Sequence, residues 1–150
     1  MTNNEMENLI EDISFIVHDL TRKAYAKIDE YLKKFGLVRS HAAILRLLKT
    51  NKELPMSELS EKIQVTKPNV TLLIDKLEKL GYVERVNASH DRRIILIKLS
   101  DAGDEFVESY VKKLHGYFTT MFSKLSSKDL GTFKSNISSL KELLSKLEEE

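Results

Sequence analysis

The sequence predicts a mainly α-helical fold that carries one small β-hairpin. Apolar residues recur at steps of three and four along most of the chain, the period shortens to two only between Tyr82 and Leu99, and just five Gly and two Pro interrupt 150 residues. With 41% hydrophobic and 31% charged residues the chain is too apolar for a disordered polymer. Its length suits one domain with a real core rather than two.

From Leu9 the apolar positions fall at Ile13, Ile16, Leu20, Ala24, Ile28, Tyr31 and Phe35, one stripe of a long amphipathic helix that Gly36 stops. A second helix reads through SHAAILRLLKT, with Ala43, Ile44, Leu47 and Leu48 as its buried face, and fades in the polar TNKEL before Pro55. Ser57 precedes a short helix that buries Leu59 and Ile63. After a tight turn at Gln64 and Val65, Thr66 is placed to cap a further helix by accepting from free N–H groups of its first turn, where Pro68 costs little because its missing donor is not needed. That helix buries Val70, Leu73, Ile74, Leu77 and Leu80 and stops at Gly81. Two short helices about a tight turn make a helix-turn-helix.

Beyond Gly81 the runs YVERV and IILIKL are rich in β-branched residues, and the second alternates Ile95, Ile97 and Leu99 with Leu96 and Lys98. The polar NASHDRR between them holds the Asn, Ser and Asp that favour turns, so the hairpin is a wing appended to the helix-turn-helix. Ser100 then caps a long helix with Asp101, Asp104 and Glu105 in its first turns, where negative charge complements the helix dipole. Its apolar face runs from Phe106 to Leu125. Ser126 to Asp129 resembles a capping box with Asp in place of Glu, and a last helix carries Phe133, Ile137, Leu140, Leu144 and Leu147. The expected organisation is a single domain: residues 37–100 form a winged helix-turn-helix, and residues 1–36 and 101–150 form N- and C-terminal dimerisation helices. The terminal helices carry more apolar surface than so small a core can cover, and each large side chain buried is worth roughly 1.5–3 kcal/mol, which points to a second copy of the chain as their partner.

Charge is uneven along the chain. Residues 39–100 hold twelve Lys and Arg against seven Asp and Glu, while the segments before and after are each net acidic, so the net charge of +1 hides a basic middle suited to a polyanion. The absence of cysteine excludes disulfides, thiolate zinc sites and thiol redox sensing within the chain. No run approaches the roughly 20 apolar residues of a membrane span, and the start lacks the pattern of a secretory leader, so a cytoplasmic protein without a membrane partner is expected.

LSEKIQVTKPNVTLLIDKLEKLGYVERV, residues 59–86, followed by DRRIILIKLSDAG, residues 91–103, closely resembles the MarR family of winged helix-turn-helix transcription factors. Asp91, Arg92 and Arg93, then Leu99, Ser100 and Gly103, stand at that family's spacing from wing tip into the next helix. The resemblance implies that the helix from Thr66 to Leu80 enters the DNA major groove. With Val70, Ile74 and Leu77 turned inward, Pro68, Asn69, Leu72, Asp75, Lys76 and Lys79 face outward. Asn69 suits an adenine edge, Leu72 a thymine methyl, Lys67 and Lys76 bases or phosphates, and Thr66 and Thr71 phosphates. Asp75 is repelled by phosphate and is expected to accept from a base amine or pair with a neighbouring Lys. In the wing, Arg92 and Arg93 reach for the minor groove, and Asp91 holds one of them by a charge-assisted bond. Two positions depart from the family: Gln64 stands where its turn often has Gly, and Val38 where its second helix often begins with a capping Thr.

His18, His41, His90 and His115 form no metal-binding pair on one helix face, and Ala42 and Ala43 stand where zinc-sensing members have ligands. There is no phosphate loop and no nucleophile elbow, so neither a cofactor nor an enzymatic activity is expected. In the family an effector pocket lies where the first, second and fifth helices meet. Tyr25, His41, Arg46 and Phe118 lie on those helices, but nothing in the sequence assigns them to a ligand. The expected protein is a homodimeric, sequence-specific transcriptional regulator bound to double-stranded DNA at a pseudo-palindromic operator, a repressor released by a small-molecule effector. A winged-helix adaptor for proteins and a metal-responsive regulator of the same fold are the alternatives.

Overall fold

The structure, a computed structural model, describes residues 2–89, 91 and 93–147; His90, Arg92 and the side chain of Ala24 lie outside the described residues. Among the described residues six helices and three strands follow in the order α1 (Asn3–Lys33), α2 (Arg39–Asn51), β1 (Glu53–Pro55), α3 (Met56–Lys62), α4 (Lys67–Lys79), β2 (Val83–Asn87), β3 (Ile95–Leu99), α5 (Asp101–Phe122) and α6 (Ser127–Ser145). They fall into two compact units, one running to Leu114 and the other beginning at His115.

In the first unit, α1 begins earlier than its apolar stripe. The Thr2 hydroxyl accepts from the Glu5 N–H, and the Glu5 carboxylate accepts from the Thr2 N–H at 2.7 Å, a complete capping box. Gly36, at φ +68°, makes the turn into α2. Val38 provides no side-chain cap for α2; instead the Val38 N–H donates to Nδ1 of His41 at 3.0 Å, the back-reaching half of a capping box made by an imidazole. Gln64, between α3 and α4, takes φ +55°, the left-handed conformation that its departure from Gly made questionable.

The core is built by Ile28 and Leu32 of α1, Ile44, Leu45 and Leu48 of α2, Leu59 of α3, Val70, Ile74 and Leu77 of α4, and Ile97 of β3, all essentially inaccessible. Against the sequence expectation, α2 buries Ala42 and Leu45 where Ala43 and Leu47 are only half-buried, so its inner face is rotated by about one residue, or ~100°. Ile63 and Leu73 are half-buried and Leu80 is exposed; Ser60 is buried instead, its hydroxyl donating to the Val65 carbonyl at 2.6 Å across the helix-turn-helix turn.

The hairpin has an unexpected third strand. The antiparallel sheet is ordered β1-β3-β2, with Glu53 opposite Lys98 and Leu54 opposite Ile97, so the segment after α2 covers one edge of the wing's inner strand. Ser100 ties the wing to α5: its hydroxyl donates to the Gly81 carbonyl at 2.5 Å and accepts from the Gly103 N–H at 3.0 Å. Rings from three segments pack beside that joint, with Phe106 centred 5.2 Å from Phe35 and 4.9 Å from Tyr82.

The second unit is the end of α5 with α6. Ser126 caps α6 through the Asp129 N–H, and Phe122 and Phe133 pack at 5.1 Å, but α6 buries no residue. In the first unit the amino-terminal half of α1 leaves Leu9, Ile10, Ile13, Phe15, Ile16 and Val17 exposed.

Candidate nucleic-acid interface

Helix α4 presents a polar outer face because its three buried residues, Val70, Ile74 and Leu77, hold the opposite face on the core. Thr66, Lys67, Asn69, Thr71 and Lys76 are all exposed, and Leu72 is 67% exposed. Thr66 occupies the N-cap position but makes no capping hydrogen bond, contrary to the sequence expectation. Thr71 donates its hydroxyl proton to the Lys67 carbonyl at 3.0 Å, so it must leave that bond to donate elsewhere.

Asn69, Leu72 and Lys76 converge with Leu73, Val65 and the start of α2 on a groove of about 470 Å³ floored by Gly36, Ser40 and His41. The Lys76 ammonium lies 3.4 Å from where a Cβ on Gly36 would stand. His41 is 7% exposed, and its pKa is lowered, first by burial and then by the Lys76 charge. A neutral His41 can accept the Val38 N–H at Nδ1; protonation there would end that acceptance.

Asp75 does not pair with a neighbouring Lys. Arg85 of β2 reaches across to α4 and binds both Asp75, at 2.5 Å, and Glu78. The two carboxylates raise the Arg85 pKa, Asp75 most strongly. Sequence reasoning missed Arg85. The signal was available in two acids one turn apart on α4 and an arginine placed, like the buried Val83, on the β2 face that meets α4.

At the wing, Ala88 is buried and its N–H donates to the Ile94 carbonyl at 2.9 Å, closing the hairpin, while Arg93 extends into solvent with its side chain 95% exposed. Asp91 Oδ1 accepts from the Arg93 backbone N–H at 2.9 Å, whereas the Arg93 guanidinium stays 3.8 Å away. Asp91 therefore shapes the turn through the main chain, and the ion pair with Arg93 adds little at that distance and exposure. Arg92 lies outside the described residues. Of the described site residues, Asn69, Leu72 and Lys76 gather around one groove and Asp91 with Arg93 at the wing tip, whereas Thr66, Lys67 and Thr71 are exposed but line neither; Arg85 links α4 to the strand that leads to the wing. Among the described residues no group of three or more His, Asp or Glu is placed to hold a metal ion, and no helix is long and apolar enough to cross a membrane.

Residues 37–95 match the MarR family. The chain is 37% identical over 101 residues to the HTH-type transcriptional regulator PrsX of Escherichia coli, covering 61% of each protein. It is 32% identical over 98 residues to the HTH-type transcriptional repressor MdtR of Bacillus subtilis, covering 65% of this chain and 63% of that protein. The chain therefore spans less than two thirds of the length of these curated relatives. A solved structure of a mutant S. aureus MepR bound to an oligodeoxyribonucleotide superposes with a TM-score of 0.67 at 22% identity, over 88% of this chain and 97% of that one, which establishes likeness of fold. The matched segment opens just before α2 and closes at the first residue of β3, so what the chain shares with the MarR family takes in the helix-turn-helix, the wing turn and the exposed face of α4.

Proposed function

We propose that the chain is a homodimeric transcriptional regulator that binds double-stranded DNA at a pseudo-palindromic operator. The observation that carries the reading is the outer face of α4. A polar, solvent-exposed helix surface with Asn69, Leu72 and Lys76 around one groove is held at the open side of a winged helix-turn-helix within the family-matched segment. In this reading α4 lies in the major groove: Asn69 reads an adenine edge, Leu72 touches a thymine methyl, Lys67 and Lys76 meet bases or phosphates, and Thr66 and Thr71 meet phosphates. Arg92 and Arg93 reach the minor groove from a turn shaped by Asp91. The relative MdtR, named a repressor, and the MepR neighbour, solved with an oligodeoxyribonucleotide, favour DNA as the partner and repression as the sign.

Residues 1–36 and 101–150 serve as dimerisation helices in this reading, since α1 and α6 leave Phe15, Ile16, Leu143, Leu144 and other large apolar side chains in solvent. A two-fold dimer would match half-sites about one helical turn apart. Release by a small-molecule effector has room in a groove of about 750 Å³ along α1, where Arg39 stacks on Tyr25 at 5.2 Å and pairs with Asp29 at 3.1 Å. An effector acts there if it favours one spacing of the two α4 helices over another.

The test is selection of genomic fragments by the purified protein, followed by salt titration on the selected sequence. Counterion release predicts a steep loss of affinity between about 50 and 200 mM salt, a smaller salt slope for Arg93→Ala, and for Asn69→Ala a relaxed base preference of about 1–3 kcal/mol. Failure to retain any specific fragment at low salt refutes the reading.

A further inference from the structure

Asp75 and Glu78 are out of place on a helix that lies against a polyphosphate. They stand three residues apart, so they share one side of α4, and Asp75 belongs to the outward stripe with Leu72 and Lys79. The lysines nearest on the helix do not neutralise them. The carboxylates turn instead to Arg85, which lies in β2 opposite Ile97 on the strand side that carries buried Val83. Its neighbour Glu84 points to the other side and pairs with Lys98 at 3.3 Å. Arg85 keeps its side chain three-quarters buried and divides its guanidinium, one terminal nitrogen to Asp75 and the other to Glu78. A guanidinium can bind two carboxylates at once with its forked donors, whereas an ammonium is a single point of charge.

We propose that Arg85 is a positioning residue for the DNA-binding face: it masks the Asp75 and Glu78 carboxylates and so makes the α4 surface acceptable to phosphate, without itself touching DNA. This rests on the DNA-binding reading above. The arrangement also explains how a helix with two acids on its outer side can sit at a groove whose charge is uniformly negative. Unmasked, each carboxylate would act within a Debye length, about 8–10 Å, of the nearest phosphates.

The experiment compares operator affinity and its salt dependence for the full-length wild type, Arg85→Ala, Arg85→Lys and the triple variant Arg85→Ala/Asp75→Asn/Glu78→Gln. Arg85→Ala is expected to bind about tenfold or more weakly with a salt slope within about half a unit of wild type, because no phosphate contact is lost. Arg85→Lys, able to hold one acid, falls between the two. The triple variant, with the acids gone, returns to within about threefold of wild type, which also shows that the single variant's loss was not unfolding. Wild-type affinity in Arg85→Ala overturns the proposal. So does a slope reduced by about one unit with no recovery in the triple variant, which makes Arg85 a phosphate contact. A wild type that binds no DNA at any salt removes the functional reading first, and the masking role with it.

Discussion

Gly103 sits in the first turn of α5, directly over the strand-to-helix joint. A Cβ built on it falls 2.0 Å from the Tyr82 carbonyl oxygen, 2.9 Å from the Tyr82 carbonyl carbon and 3.1 Å from Leu99 Cδ2. Real Cβ atoms essentially never approach within 3.0 Å, so Gly103→Ala forces the Tyr82 backbone back by about 1 Å. That carbonyl accepts from the Ser100 N–H at 3.1 Å, and the Ser100 hydroxyl in turn holds Gly81 and Gly103, so the displacement is not local. Overpacking costs typically 1–3 kcal/mol and a weakened hydrogen bond about 1, while replacing Gly in a helix returns at most about 1. The expected outcome is a net destabilisation of about 1–3 kcal/mol, read as a urea midpoint lowered by about 1 M at fixed protein concentration. Gly131 in α6 supplies the contrast. Nothing lies within 4 Å of its Cβ position, and Gly131→Ala is expected to gain up to about 1 kcal/mol. A Gly103→Ala protein as stable as wild type refutes the close-approach explanation of that glycine.

Three further outcomes are expected. The folded-state pKa of His41 lies below its unfolded value of 6.5, so the unfolded chain binds the extra proton; His41's contribution is whole above pH 6.5 and is lost as pH falls below it. His41→Gln keeps an acceptor for the Val38 N–H but no proton to gain. Its urea midpoint should therefore depend less on pH than wild type between about 7.5 and 5.5, and equal slopes would discount His41. Gln64→Gly relieves a left-handed residue at φ +55° and should raise stability by about 0.5–1 kcal/mol, the gain being absent if the turn carries no strain. Val38→Thr puts a near-isosteric hydroxyl at an N-cap that lacks one and should add about 0.5–1 kcal/mol; an unchanged melting temperature would show that His41 already satisfies that end.

The elements that could be read from sequence are those whose signals are local. Thr66, Pro68 and Gly81 bracket α4 within a residue, and Gly36 ends α1, because punctuation by caps, Pro and Gly is a property of neighbouring residues. The capping box at Thr2 and Glu5 was equally local, and it extends α1 six residues before Leu9, where the apolar stripe suggested its start. β1 could not be found this way. Three residues are too few to show alternation, and what makes Glu53–Pro55 a strand is pairing with Leu96–Lys98, more than forty residues on. The rotated face of α2 has a different cause. Ala42, Ala43, Ile44, Leu45, Leu47 and Leu48 make a stripe wider than the core needs, so only its neighbours decide that Ala42 and Leu45 go inside.

The charged residues of the candidate interface divide along the same line. Asp91 was recognisable as a turn residue beside two arginines, but whether it holds the Arg93 guanidinium or the Arg93 main-chain N–H is decided over a difference of 0.9 Å, between 3.8 Å and 2.9 Å. The main-chain bond wins because it closes a ring over two residues and orders no long side chain, whereas holding Arg93 by its tip would immobilise several rotatable bonds in open solvent for a weak pair. Asp75 inverts that balance. Its partner is ten residues away in sequence, but Arg85 is already mostly buried against α4, so little further freedom is lost when it binds. Exposure of the cation, 95% for the Arg93 side chain and 25% for that of Arg85, separates a side chain left free to reach from one fixed in place. An acidic residue on such a face is thus interpretable only together with the burial of its cation, which no spacing of residues along the chain records.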